Sequence, residues 1–133
     1  VANGTVRMVY FHFAFLGDES LWAAEASECA GEQDAFWDYY DYLFSHQNGE
    51  NQGAFSIDNL KIFASALELD TDAFNECLDS GRYASLVQNM TNIARQLGVQ
   101  STPTFVINGQ GVVGAKDFSE FASIIDSFLT VAP

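Results

Sequence analysis

Val99-Gln100-Ser101-Thr102-Pro103-Thr104-Phe105-Val106-Ile107-Asn108-Gly109 is the stretch whose reading decides the fold. A Thr-Pro pair leads straight into an apolar, β-branched run that ends on Asn-Gly. Proline donates no ladder hydrogen bond, so at the mouth of a strand it is confined to the first residue or an edge. The bond before it can be cis, because trans is favoured there by only about 0.5–1 kcal/mol. Asn108-Gly109 is a two-residue hairpin signal, and it predicts a strand over 104–107 returning as a second strand over 111–113.

Upstream of that stretch, Leu86, Met90, Ile93 and Leu97 step by four, three and four residues, which predicts one apolar face of a helix over 82–97 with Gly98 as its stop. Downstream, Asp117 with Glu120 three residues on reads as a capping box, and Phe118, Phe121, Ile125 and Phe128 are expected to face inward from the last helix. Residues 5–13 are β-branched and aromatic on both faces apart from Arg7 and His12, the pattern of a strand buried in an α/β layer. Asp18 or Ser20 is placed to cap a helix over 19–30. A second helix is expected over 34–46, with Phe36, Tyr39, Tyr40, Leu43 and Phe44 on one face. A polar loop follows over 48–53. Helices over 56–67, capped by Ser56, and 70–80 complete this part. The predicted order is β-α-α-α-α-α-β-β-α, without internal repeats or a linker long enough to divide the chain.

The chain has 133 residues, 48% of them hydrophobic, with 12 phenylalanines, which suits one domain with a well-filled core. No apolar run approaches the roughly 18 residues of a transmembrane helix, so membrane insertion is not expected. The chain starts at Val1 without a signal-peptide pattern and reads as a processed chain or a fragment. Five basic residues stand against 18 acidic ones, and a net charge of −13 argues against binding nucleic acid or an anionic membrane. Two N-x-[ST] patterns, at Asn3 and Asn89, are short enough to arise by chance. His12 and His46 have no spaced partners that suggest a metal site. There is no glycine-rich phosphate loop and no Gly-x-Ser-x-Gly elbow, so neither metal nor cofactor is expected. The two cysteines, Cys29 and Cys77, are 48 positions apart and form no Cys-x-x-Cys. They fit a structural disulfide, a pair of buried thiols or a redox pair. A disulfide joining two adjacent helices is the expectation, and it would imply an oxidising compartment.

Three segments, in the right order, resemble the DsbA-like branch of the thioredoxin fold. Residues 23–30 with Phe36-Trp37-Asp38-Tyr39 resemble its first inserted helices. Residues 77–83 resemble the junction into its long helix. Residues 98–109 resemble its cis-proline strand. Near His12 and Ala14 the chain departs from the family, which tends to have Asp and Pro there. The resemblance implies an α/β, thioredoxin-like fold with a helical insertion over 19–80, one partial domain over 1–133, N-terminally truncated, whose first strand and redox Cys-x-x-Cys helix would precede Val1. It implies a part of a thiol–disulfide oxidoreductase acting outside the cytoplasm on extended or unfolded proteins with thiols or disulfides. Thr102 and Pro103 would line the substrate side, no catalytic residue would lie in this chain, and the chain alone would be inactive. Its open strand edge would be completed by a dimer or an N-terminal fragment. Two other readings are a non-catalytic peptide-binding module of the same fold and a relative of the kappa-class glutathione transferases.

Overall fold

The computed structural model describes residues 1–130. It contains six helices and two strands among them: α1 (Asp18–Gly31), α2 (Phe36–Ser45), α3 (Ile57–Ala66), α4 (Thr71–Asp79), α5 (Ala84–Gln96), β1 (Thr104–Ile107), β2 (Gln110–Val113) and α6 (Phe118–Leu129). Two compact units divide the chain, residues 1–93 and residues 94 onward.

The first unit is built around α1, which packs against α2, α3 and α4. Alanines and a cysteine line its inner side (Ala26, Cys29, Ala30), so the neighbouring helices come close. They fill the space with Tyr39 from α2, Leu60, Phe63 and Ala64 from α3, and Phe74, Cys77 and Leu78 from α4. Burying each large apolar side chain contributes roughly 1.5–3 kcal/mol. Tyr39 is fully buried, and its hydroxyl reaches the Leu60 carbonyl at 2.8 Å, so its polar end is satisfied inside the core. Local chemistry sets the helix starts. The Asp70 carboxylate accepts from the Asp72 and Ala73 amides at 3.1 and 3.0 Å, and the Ser56 hydroxyl accepts from Asn59 N at 3.4 Å.

The start of α1 differs from expectation. Neither Asp18 nor Ser20 caps it. Gly17 takes the N-cap position with φ +112 and no side-chain hydrogen bond. That φ lies in the left-handed region that favours glycine, and a Cβ there would also crowd the Asn51 side-chain amide at 2.6 Å. Asn51 lies over this turn and donates from its side chain to the Leu16 carbonyl.

Residues 5–13 do not form a strand. A strand is defined by its ladder, and the sheet described here contains only β1 and β2, which pair with each other. Side chains hold this segment instead: His12 is buried and its Nε2 lies 2.7 Å from Glu28 Oε1, while Tyr10 packs edge-on against His12 and Tyr40. Just beyond, Ala14 N donates to the buried Thr91 hydroxyl at 3.0 Å.

On α5 the buried positions are Val87, Thr91 and Ala94, not the expected Leu86, Met90, Ile93 and Leu97. Leu97 is 77% exposed, and Leu86 and Ile93 are also exposed. Both sets obey helical spacing and lie one residue apart around the same helix. The inward set includes the polar Thr91, whose hydroxyl accepts from Ala14 N, a contact that a count of apolar residues does not register.

In the second unit β1 and β2 pair antiparallel, Thr104 with Val113 through Ile107 with Gln110, around the Asn108-Gly109 turn. Phe105 meets Phe121 of α6 edge-on at 4.7 Å between ring centroids. The last helix is less covered than its stripe suggests. Phe118 is 86% exposed, Phe121, Ile125 and Phe128 are half-buried, and Asp117 takes the N-cap position without a side-chain bond. A two-strand sheet offers too little apolar surface to bury a 12-residue helix.

Candidate functional site

The loop into β1 is shaped from both ends. Gly98, with φ +84, closes α5: its amide donates to the Arg95 carbonyl and the Val99 amide reaches back to Ala94 O, both at 3.0 Å. At the other end the Pro103 carbonyl accepts from Gly114 N at 2.8 Å, and the Thr104 hydroxyl donates to Ser101 O at 2.7 Å. Between these anchors the Thr102–Pro103 peptide bond is cis. Ser101, Thr102 and Pro103 are exposed. Among the described residues no hydrogen bond occupies the backbone N–H or C=O of Thr102. A free, exposed backbone donor and acceptor beside a strand is what an extended peptide needs to add by main-chain pairing.

Cys29 and Cys77 belong to the first unit, Thr102 and Pro103 to the second. The two cysteines are joined by a disulfide with an S–S distance of 2.04 Å and Cα atoms 5.8 Å apart. Both are 1% exposed, and they link α1 to α4 inside the hydrophobic core. A thiolate must be accessible to attack or be attacked, and these sulfurs are covered. No free cysteine occurs among the described residues.

Sequence reasoning missed several polar groups around the helical core. Glu19 is buried, and its two oxygens accept from Gly53 N at 2.7 Å and Phe55 N at 2.8 Å, fixing the end of the long loop to α1. Glu25 is also buried, and desolvation raises its carboxyl above the ordinary range. His12 and Glu28 form a pair 16 residues apart. The sequence carried one signal for this pair, a histidine on the otherwise apolar 5–13 segment, where a buried imidazole needs a partner. An open depression of about 460 Å³ on this unit is lined by Ala35, Asp38, Asp41, Tyr42, Ser45, Leu67 and Leu69, which supply neither a nucleophile–base pair nor a metal-ligand set. Among the described residues no group of three or more His, Cys, Asp or Glu side chains is placed to hold a metal ion.

One surface cluster has a defined pH response. Glu32 receives Arg82 Nη1 at 2.7 Å and the Tyr83 hydroxyl at 2.9 Å. These bonds, Arg82 first, hold its carboxyl below the ordinary range. A group with a depressed folded value contributes stability above its unfolded value, about 4.3, and loses it as pH falls through the folded value. Glu32→Gln is therefore expected to lower stability at neutral pH, with the difference from the parent shrinking below about pH 4. Urea titrations of both proteins across that range test this, and a gap that widens toward acid would refute the pairing. The cluster is solvent-exposed, so the effect is small.

The family model described as Thioredoxin matches residues 1–127. Among curated relatives, the Salinispora tropica protein named Na(+)/H(+) antiporter NhaA 3 is 41% identical over 125 residues, 92% of this chain and 18% of that protein. The Bacillus subtilis protein named Disulfide bond formation protein D is 27% identical over 132 residues, 97% of this chain and 60% of its own length. The chain thus spans under two thirds of either relative. Among solved structures, the Wolbachia pipientis thiol-disulfide exchange protein alpha-DsbA2 superposes with a TM-score of 0.70 at 27% identity, covering 86% of this chain and 61% of that one. With the match running almost from end to end, and with helices and hairpin in the order described above, the chain belongs to the thioredoxin family as a DsbA-like thioredoxin-fold domain.

Proposed function

We propose that the chain is the substrate-holding part of a thiol–disulfide oxidoreductase, with Thr102 and Pro103 receiving extended segments of proteins that carry thiols or disulfides. The exposed Thr102–Pro103 pair, with the Thr102 backbone unoccupied at the mouth of β1, carries this reading. In such an exchange a thiolate attacks one sulfur of a substrate disulfide, the substrate S–S bond breaks, the other sulfur leaves as a thiolate, and a mixed disulfide forms. Cys29 and Cys77 are sealed in the helical core, so in this reading the attacking thiolate is supplied from outside these 133 residues. The same reading takes residues 19–80 as a helical insertion within one thioredoxin domain. It assigns the protein to an extracytoplasmic compartment, where a disulfide persists. The strand edge of β1 would be completed by another polypeptide. Ion transport is not carried over from the antiporter. The chain matches only 18% of that protein, and among the described residues no helix is long and apolar enough to cross a membrane.

The test has two arms. Insulin reduction and dithiol-peptide oxidation by this chain are expected to show no turnover above the uncatalysed rate. An extended cysteine-containing peptide is expected to shift the amide resonances of Ser101, Thr102 and Thr104, with Pro103→Ala weakening the binding several-fold. Turnover that survives replacement of both Cys29 and Cys77 would overturn the assignment of the thiolate. Peptide shifts confined to other residues would overturn the role of Thr102 and Pro103.

A further inference from the structure

We propose that Asn48–Gly49 is a spontaneous modification site, at which the folded protein converts an amide into a carboxylate. The chain has three Asn-Gly pairs, at Asn3, Asn48 and Asn108. In each the same chemistry is available. The glycine backbone nitrogen gives up its proton and bonds to the asparagine Cγ. The Cγ–Nδ2 bond breaks and the nitrogen leaves as ammonia, closing a succinimide ring. Water then opens the ring at either carbonyl, leaving aspartate or an isoaspartyl linkage whose backbone runs through the side-chain carbon. No oxidant, metal or enzyme takes part. Glycine favours the attack because no Cβ crowds its nitrogen and its backbone turns freely. Ring closure also needs that nitrogen free of hydrogen bonds and the asparagine backbone free to rotate.

The structure separates the three pairs on these two requirements. Asn108 and Gly109 sit in the hairpin turn with φ of +46 and +91, closed by the Ile107–Gln110 pair, so ring closure there must first open the end of the sheet. At the first pair both reacting groups are engaged: Gly4 N donates to Val1 O at 2.9 Å, and the Asn3 side-chain oxygen accepts from Thr5 N at 3.1 Å. Asn48 and Gly49 are exposed and lie in neither helix nor strand. Among the described residues nothing bonds the Gly49 amide. The anchors of this loop come later, where Asn51 holds Leu16 O and Glu19 holds the amides of Gly53 and Phe55. The reacting pair thus lies on the untethered side of its own loop. The product adds a carboxylate to a chain already at −13.

Trypsin, cutting after Arg7, Lys61, Arg95 and Lys116, places the three pairs in separate peptides, 1–7, 8–61 and 96–116. The intact oxidised protein is incubated at mildly alkaline pH, folded or in urea, then reduced, digested and mapped by fragmentation. An Asn48→Asp variant supplies the authentic product. Unfolded, the three pairs should convert at similar rates. Folded, Asn48 should keep close to its unfolded rate, and Asn108 should slow on the order of tenfold or more, because the turn must open first. An Asn48 rate suppressed as strongly as that of Asn108 would overturn the proposal. So would persistence of the product in peptide 8–61 of an Asn48→Ser variant, because Asn51 or Asn59 would then be its source.

Discussion

Replacing both Cys29 and Cys77 with alanine is expected to cost about 4 kcal/mol. The two cysteines are 48 residues apart. In the chain-entropy treatment a closed loop of that size removes about 4 kcal/mol of conformational freedom from the unfolded chain. On the native side the change is the loss of two buried sulfur atoms. Cys29 and Cys77 already sit in a core where α1 and α4 are held by Phe74, Leu78 and the small residues of α1, so the helices have a packing reason to stay together. Alanine is the right replacement, because serine would bury a hydroxyl that needs a partner. With a urea m-value of about 2 kcal/mol/M, the midpoint should fall by about 2 M while the folded-state spectrum is retained. Thiol titration of the denatured, unreduced parent should find no free sulfhydryl. A midpoint shift under about 0.5 M would mean that the unfolded chain is already compact around these helices, and the entropic account would fail.

The sequence was informative where a single residue type dictates the backbone. Gly98 ends its helix, Asn108-Gly109 makes its hairpin, and Ser56 caps its helix, because few other residues do those jobs. It was ambiguous where a partner decides. Residues 5–13 have the composition of a buried strand, yet pairing is a property of two segments, and only β1 and β2 pair among the described residues. The α5 face shows the same limit. Leu86, Met90, Ile93 and Leu97 are the more apolar set, but one bond from the Ala14 amide to the Thr91 hydroxyl goes with the other set being inward. The candidate site was half legible. Thr102-Pro103 announced itself as a proline at a strand mouth. The buried Glu19 and the His12–Glu28 pair did not, because carboxylates are ordinarily surface residues and their partners lie 16 or more positions away.

Phe74→Ala is expected to destabilise the protein by about 3–5 kcal/mol, the range for emptying a fully buried aromatic site. Phe74 has no solvent exposure and packs against Tyr39 with ring centroids 5.4 Å apart. Alanine is the better helix former, so α4 itself does not suffer and the loss reports packing alone. The cavity would open beside Cys77, three residues along the same helix and tied to α1. The disulfide keeps the walls of that cavity from collapsing, which leaves the full cavity cost in place. Phe74→Leu should cost about 1.5 kcal/mol or less, since it refills most of the volume. Combined with loss of the disulfide, Phe74→Ala should cost less than the sum of the two alone, because freed walls close around the gap. Denaturation of the three variants decides the matter. A Phe74→Ala cost below about 1 kcal/mol would place the centre of the core elsewhere than on the Tyr39–Phe74 contact. Strict additivity with the disulfide would show that the α1–α4 link and this aromatic contact stabilise the helical unit independently.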